Sequence, residues 1–254
     1  ILYYLCSYKS INAIFIAHLI AIVFLWIISF FWTSKAFVVS EDLNKLKIPD
    51  SFFKYNKGLL LKSYITVFFL WGDRFFLSLI CNPSEVAQYD ISLKIAMLIM
   101  IVTEALKSTY ASVFARHALE PEKLKIDIRR STRVGFVVSS GIFLFIVIFG
   151  KFILGLFGPE FVDSYFILII ISLGYTMSTF FGQADNVLEM CGLIKHYVKY
   201  YFIIIFLSLG LGVVLSINFG ALGMAIGFAV GNFFFQAIAS YIVKSKISIK
   251  TSFL

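Results

Sequence analysis

The stretch VGFVVSSGIFLFIVIFGKFILGLF, Val134 to Phe157, carries one charge, Lys151, in some two dozen residues. About 20 consecutive apolar residues let a helix cross the hydrocarbon core of a bilayer. Six further runs of this kind lie in the chain, giving spans at Ile11 to Trp32, Gly58 to Ile80, Ile91 to Phe114, Val134 to Phe157, Ser164 to Ala184, Tyr197 to Ile217 and Ala221 to Val243. Backbone groups in lipid must be satisfied internally, and runs this long without period-2 alternation are helices rather than barrel strands. The expected fold is all-α: a polytopic bundle of about seven transmembrane helices.

Composition agrees: 60% of residues are hydrophobic and 14% charged, against about 25% charged in a soluble domain. The net charge of +8 does not point to nucleic acid, because the basic residues cluster between apolar runs instead of forming a basic face on a soluble module. Their placement alternates. Lys35, Lys45, Lys47, Lys54 and Lys57 follow the first span; Arg116, Lys123, Lys125, Arg129, Arg130 and Arg133 follow the third; Lys195 and Lys199 flank the gap after the fifth; Lys244, Lys246 and Lys250 follow the last. The gaps Cys81 to Asp90, Gly158 to Asp163 and Asn218 to Gly220 hold no Lys or Arg. Basic residues are retained in the cytoplasm, so the C-terminus is expected inside and the N-terminus of the segment outside, with Lys9 as the exception. The apolar start Ile1 to Cys6, without initiator Met or signal-peptide pattern, reads as the end of an earlier helix, so residues 1–254 are expected to be the C-terminal portion of a larger transporter.

The four prolines all lie between spans, and Gly223, Gly227 and Gly231 make a small-residue stripe suited to close helix packing. The stretch Leu119 to Arg133 alternates apolar and charged residues, as expected of a segment on an anionic membrane surface. Cys6, Cys81 and Cys191 are scattered and read as packing residues, with no metal site and no disulfide framework. His18, alone in an apolar span, reads as packed or interfacial, and His117 and His196 lie at inward ends.

Charges at membrane depth are costly, about 2.5–3.5 kcal/mol each on insertion scales, and usually face protein or water. Lys62, Asp73 and Arg74 lie in the second span; Lys94, Glu104 and Lys107 in the third, with Asp90 at its mouth. Lys62 and Asp73 share a helix face, and Asp90, Lys94, Glu104, Lys107 and Ser108 fall within an arc of roughly 140°. Packed as an antiparallel hairpin, the spans would place Asp73 and Arg74 at the depth of Lys94. Two readings stay open here. The charges pair with one another, Lys62, Lys107 and Lys151 snorkelling to nearby ends; or they line a wet cavity in which Arg74, Lys94 and Lys107 bind an anionic head group and Asp73 or Glu104 carries a coupling ion. Asp185 and Glu189, with Gln183 and Asn186, read as a solvated helix end.

Several stretches resemble the polysaccharide-biosynthesis exporters, the O-antigen-type lipid-linked oligosaccharide flippases of the multidrug/oligosaccharidyl-lipid/polysaccharide exporter superfamily. They are Trp71-Gly72-Asp73-Arg74-Phe75-Phe76-Leu77-Ser78, Glu85-Val86-Ala87-Gln88-Tyr89, Leu156-Phe157-Gly158-Pro159-Glu160-Phe161, Gly192-Leu193-Ile194-Lys195 and Gly220-Ala221-Leu222-Gly223-Met224-Ala225. Ser78 departs from the usual glycine. The resemblance implies one transporter half plus a preceding helix. It also implies a bacterial inner-membrane protein that flips an undecaprenyl-pyrophosphate-linked glycan by alternating access, partnered by membrane lipids and by an N-terminal half. A cation-coupled multidrug antiporter of the same superfamily is the first rival. A membrane-embedded glycan polymerase or ligase is a weaker one, because no nucleophile, base and orienter constellation is visible and the outward gaps are short. No enzyme activity, cofactor or nucleic-acid partner is therefore expected.

Overall fold

The computed structural model describes residues 11–36, 50–247 and 251. The expectations for Ile1 to Cys6, Lys9, Lys45, Lys47 and Lys250, and for the side chains of His18, Lys35, Lys54, Lys57, Lys62, Lys195 and His196, lie outside what is described. The chain divides into two compact units, residues 1–50 and 51–254.

In the first unit, α1 (Ile11–Ala36) is a 26-residue helix. From Leu19 to Phe31 its side chains stand exposed, with the Trp26 and Phe30 rings stacked at 6.0 Å. A helix apolar on every side is built to be surrounded by lipid or protein.

The second unit is a bundle. It runs α2 (Asp50–Ile80), α3 (Pro83–Arg116), α4 (Pro121–Gly155), a 3-10 turn (Pro159–Ser164), α5 (Tyr165–Phe180), α6 (Ala184–Met190), α7 (Ile194–Phe219) and α8 (Ala221–Ile247), with no strand among the described residues. Among the described residues, five segments are long and apolar enough to span a bilayer: Pro83–Arg116, Pro121–Gly155, Pro159–Phe180, Val198–Phe219 and Ala221–Ile247. Six of the seven expected spans fall essentially on one helix each, the fifth, Ser164 to Ala184, runs past the end of α5 at Phe180 through a turn to the start of α6, and α3 and α4 extend well beyond the apolar runs that revealed them.

Prolines start these helices because the first-turn N–H they lack has no intrahelical partner anyway. Pro83 and Pro121 open α3 and α4, and Asn82 caps α3 by accepting from the Glu85 backbone N–H at 3.0 Å. Glu85 reaches onward to accept from the Ala221 N–H at 3.1 Å, and Gln88 donates to the Glu160 carbonyl at 2.9 Å. These contacts stitch the three turns of the lysine-poor end together.

Two apolar cores stack along the bundle. One, near the lysine-poor end, holds Leu77, Leu93, Ile99, Leu168, Ile171 and Phe228; the other, toward the basic end, holds Phe114, Leu124, Ile128, Leu188 and Val243. The glycine stripe of α8 admits its neighbours as expected. A Cβ at Gly227 would lie 2.5 Å from the Gly212 Cα of α7, one at Gly223 2.4 Å from the Leu215 carbonyl carbon, and one at Gly174 of α5 2.6 Å from the Ala229 Cα. Helix backbones meet at these points, and small residues permit it.

Candidate functional site

The charged residues that the sequence places at membrane depth in α2 and α3 fall, where described, into two clusters. The first belongs to the hairpin of α2 and α3. Asp73 is 1% exposed; it accepts from the Tyr89 hydroxyl at 2.7 Å and from the Arg74 backbone N–H at 2.7 Å. Asp90 is clasped from both sides, accepting from Arg74 Nε at 2.6 Å and lying 2.6 Å from Lys94 Nζ. The Arg74 guanidinium also sits 5.1 Å above the Trp71 ring. Asp73, Arg74 and Lys94 thus share one depth, as the hairpin geometry predicts, and each is held by charged or hydrogen-bonding neighbours.

The second cluster lies toward the basic end. Lys107 Nζ is held between Glu104 Oε1 at 3.1 Å and Asp185 Oδ2 at 2.9 Å, so it turns inward and does not snorkel. The other Asp185 oxygen accepts from Gln236 Nε2 at 3.1 Å, while Asn186 Nδ2 donates to the Lys107 carbonyl at 3.1 Å. At the opposite end Lys151 rests its ammonium 5.3 Å from the Tyr165 ring centroid.

Asp185 corrects the sequence reading. It is 3% exposed and not part of a solvated end. Gly182, at φ +72°, turns the chain after α5 in a conformation that favours glycine, and α6 then tucks into the bundle. Val187 and Leu188 bury completely and carry Asp185 inward with them, where Lys107 compensates its charge.

Glu104, Lys107, Gln183, Asn232, Gln236 and Tyr175 contribute to the wall of a partly open cavity of about 450 Å³ lined by α3, α4, α5, α7 and α8. Apolar side chains such as Ile204, Phe228 and Phe235 make up much of the rest. Two buried polar atoms on this wall have no hydrogen-bond partner among the described residues, Tyr175 Oη and Gln236 Oε1. The amide orientation follows from chemistry: a carboxylate only accepts, so Gln236 turns its NH₂ to Asp185 and leaves its oxygen over. Buried polar atoms are normally satisfied, which makes these two candidates for contact with a guest.

Of the residues singled out from sequence, the structure thus brings Glu104 and Lys107 to the cavity and sets Asp73, Arg74 and Lys94 apart from it. Gln183 and Gln236, which also line it, were not singled out for that role, and Asp185 stands behind the wall, holding Lys107 and Gln236. Asn232, Gln236 and Ser240 recur every four residues on an otherwise apolar helix, a signal that could have found the second face. Among the described residues no group of three or more His, Cys, Asp or Glu is arranged to hold a metal ion.

No protein-family model matches the chain. A curated relative, the probable low-salt glycan biosynthesis flippase Agl15 of Haloferax volcanii, is 24% identical over 220 residues, which cover 84% of this chain and 46% of the relative. The chain therefore spans about half the length of the curated relative it matches. A crystal structure of a mutant MATE protein superposes with a TM-score of 0.67 at 16% identity, covering 88% of this chain and 52% of that one. The chain has the exporter-superfamily fold. Glycan flippases and MATE proteins both belong to the multidrug/oligosaccharidyl-lipid/polysaccharide superfamily, so the resemblance read from the sequence stands, and with it the bundle of membrane helices.

Proposed function

We propose that this chain forms about half of an exporter that moves a lipid-linked oligosaccharide across the cytoplasmic membrane by alternating access, its basic end facing the cytoplasm. The observation that carries the reading is the cavity at membrane depth whose wall holds Lys107, Glu104 and the unmatched Tyr175 and Gln236 atoms. A cavity of this kind is the usual form of a small-molecule site, with a mostly apolar wall and a few convergent polar groups. The name of the curated relative supports a glycan-bearing lipid as cargo. That relative is archaeal, so the finer reading of undecaprenyl pyrophosphate and O-antigen-type polysaccharide in a bacterial inner membrane rests on the sequence resemblance.

In this proposal Lys107 attracts the anionic head group inside the cavity, while Arg74 and Lys94 supply positive charge at the other end of the hairpin. Asp73 and Glu104 are the carboxylates that carry a coupling ion. Transport of a fluorescent lipid-linked oligosaccharide by the full-length protein in vesicles tests this. Arg74→Ala with Lys94→Ala, and separately Tyr175→Phe with Gln236→Leu, should each lower the rate at least tenfold in protein that remains folded. Wild-type rates in both would refute the site. Proton-coupled drug efflux without glycan-lipid movement would select the antiporter reading.

A further inference from the structure

We propose that the first four turns of α4 bind the head group of an anionic phospholipid from the leaflet at the basic end of the bundle, through Arg129, Arg130 and Arg133.

The argument begins with the two faces of α4. Leu124, Ile128, Ser131, Thr132 and Gly135 are buried against the bundle. The outer face exposes Ile126, Arg129, Arg130, Arg133, Val134 and Val137, so three arginines share one stripe with apolar residues on either side. Ile126, the arginines and Val134 line a shallow groove of about 480 Å³.

Charge complementarity selects the occupant. Of the carboxylates nearby, Glu120 is committed to Lys123 at 2.6 Å and Asp127 to His117 at 2.7 Å; Glu122, exposed one turn before Ile126 on the same face, is a single negative charge against three arginines, and among the described residues no acidic residue pairs with Arg129, Arg130 or Arg133. Guanidinium groups engage phosphate through paired N–H donors, which suits a phosphodiester better than a lone ammonium does.

Depth selects a lipid over a soluble anion. Arg133 and Lys151 bound the uncharged run of α4 and lie eighteen residues apart, roughly 27 Å of helix against a hydrocarbon thickness of about 30 Å. With Lys151 near one boundary, Arg133 stands at the other, at head-group level. The stripe continues from Arg133 directly into Val134, Val137 and Val138, at 42%, 63% and 40% exposure, a surface for the acyl chains of the lipid whose phosphate the arginines hold.

The test is native mass spectrometry of the full-length protein in detergent with phosphatidylglycerol or phosphatidylcholine of matched chains. Wild type should retain phosphatidylglycerol preferentially, and inorganic phosphate at millimolar concentration should not displace it. At about fivefold per arginine, Arg129→Gln, Arg130→Gln and Arg133→Gln together should lower phosphatidylglycerol affinity on the order of 100-fold and leave phosphatidylcholine unchanged. Lys123→Gln, which removes a charge outside the groove, should change little. Equal retention of the two lipids by wild type overturns the proposal even if the triple variant fails to fold. So does a folded triple variant that keeps the preference, or displacement of the lipid by free phosphate.

Discussion

Lys107→Met is the most informative single substitution in the bundle. It strips the Asp185 carboxylate, whose side chain is 4% exposed, of its lysine and leaves the Gln236 hydrogen bond in place. Removing one partner of a buried ion pair costs about 3–5 kcal/mol, because the remaining charge keeps its desolvation penalty. Asp185→Asn is milder: the amide still accepts from Gln236, and Lys107 keeps Glu104 at 3.1 Å and is itself 26% exposed. A cost of about 1–3 kcal/mol is expected there. Glu104→Gln removes a 57% exposed partner and should cost less than about 1 kcal/mol. At about 2–4 °C per kcal/mol, the apparent Tm in detergent should fall by roughly 6–20 °C for Lys107→Met and by no more than about 4 °C for Glu104→Gln. Combining Lys107→Met with Asp185→Asn should restore about 1–3 kcal/mol relative to the lysine variant alone, the signature of direct coupling. Equal melting of the lysine and glutamate variants, or a double variant no more stable than Lys107→Met, would refute the buried pair.

Gly227→Val should destabilise by about 1–3 kcal/mol or more, because its side chain meets the Gly212 backbone, whereas Gly210→Ala, with no atom within 4 Å, should be neutral or stabilising by up to about 1 kcal/mol; thermal melts decide. Asn82→Ala removes the cap of α3 and should cost about 1 kcal/mol in the same assay. A cysteine at Glu104 should react with a membrane-impermeant maleimide while one at Asp73 stays protected, and equal labelling would contradict the separation of the two clusters. Burial, and then the neighbouring Glu85, push the Cys81 thiol up to about 11. With Cys6 and Cys191 replaced by serine, alkylation of Cys81 should therefore keep rising about tenfold per pH unit through pH 10, where an ordinary thiol of about 8.5 has levelled off. A plateau near pH 9 would count against that environment.

The helices were legible because hydrophobic length is a one-dimensional property, and Val134 to Phe157 declares itself without reference to anything else. The proline positions were equally direct, since Pro83, Pro121 and Pro159 can only begin a helix or separate two. Arg74 and Lys94 were placed at one depth by residue counting along an antiparallel hairpin, and they meet there on Asp90. Asp185 defeated the same reasoning. Four polar residues past an apolar run look like a solvated end, and only the turn at Gly182, together with the burial of Val187 and Leu188, reverses that. A Cα in the left-handed region cannot be distinguished by residue type from any other glycine. Gln236 was missed for a related reason, because its role depends on Asp185 arriving from a different part of the chain.

The backbone contact between α7 and α8 limits how this bundle can deform. With Gly212 against Gly227 and Leu215 against Gly223, neither helix can slide or rotate past the other without collision, and Glu85 ties their connecting turn to the start of α3. The pair is a strut. Any rearrangement that opens the cavity to one side of the membrane has to move other helices against this pair and leave the pair itself intact, with α6 carried along by the Asp185 bond to Gln236.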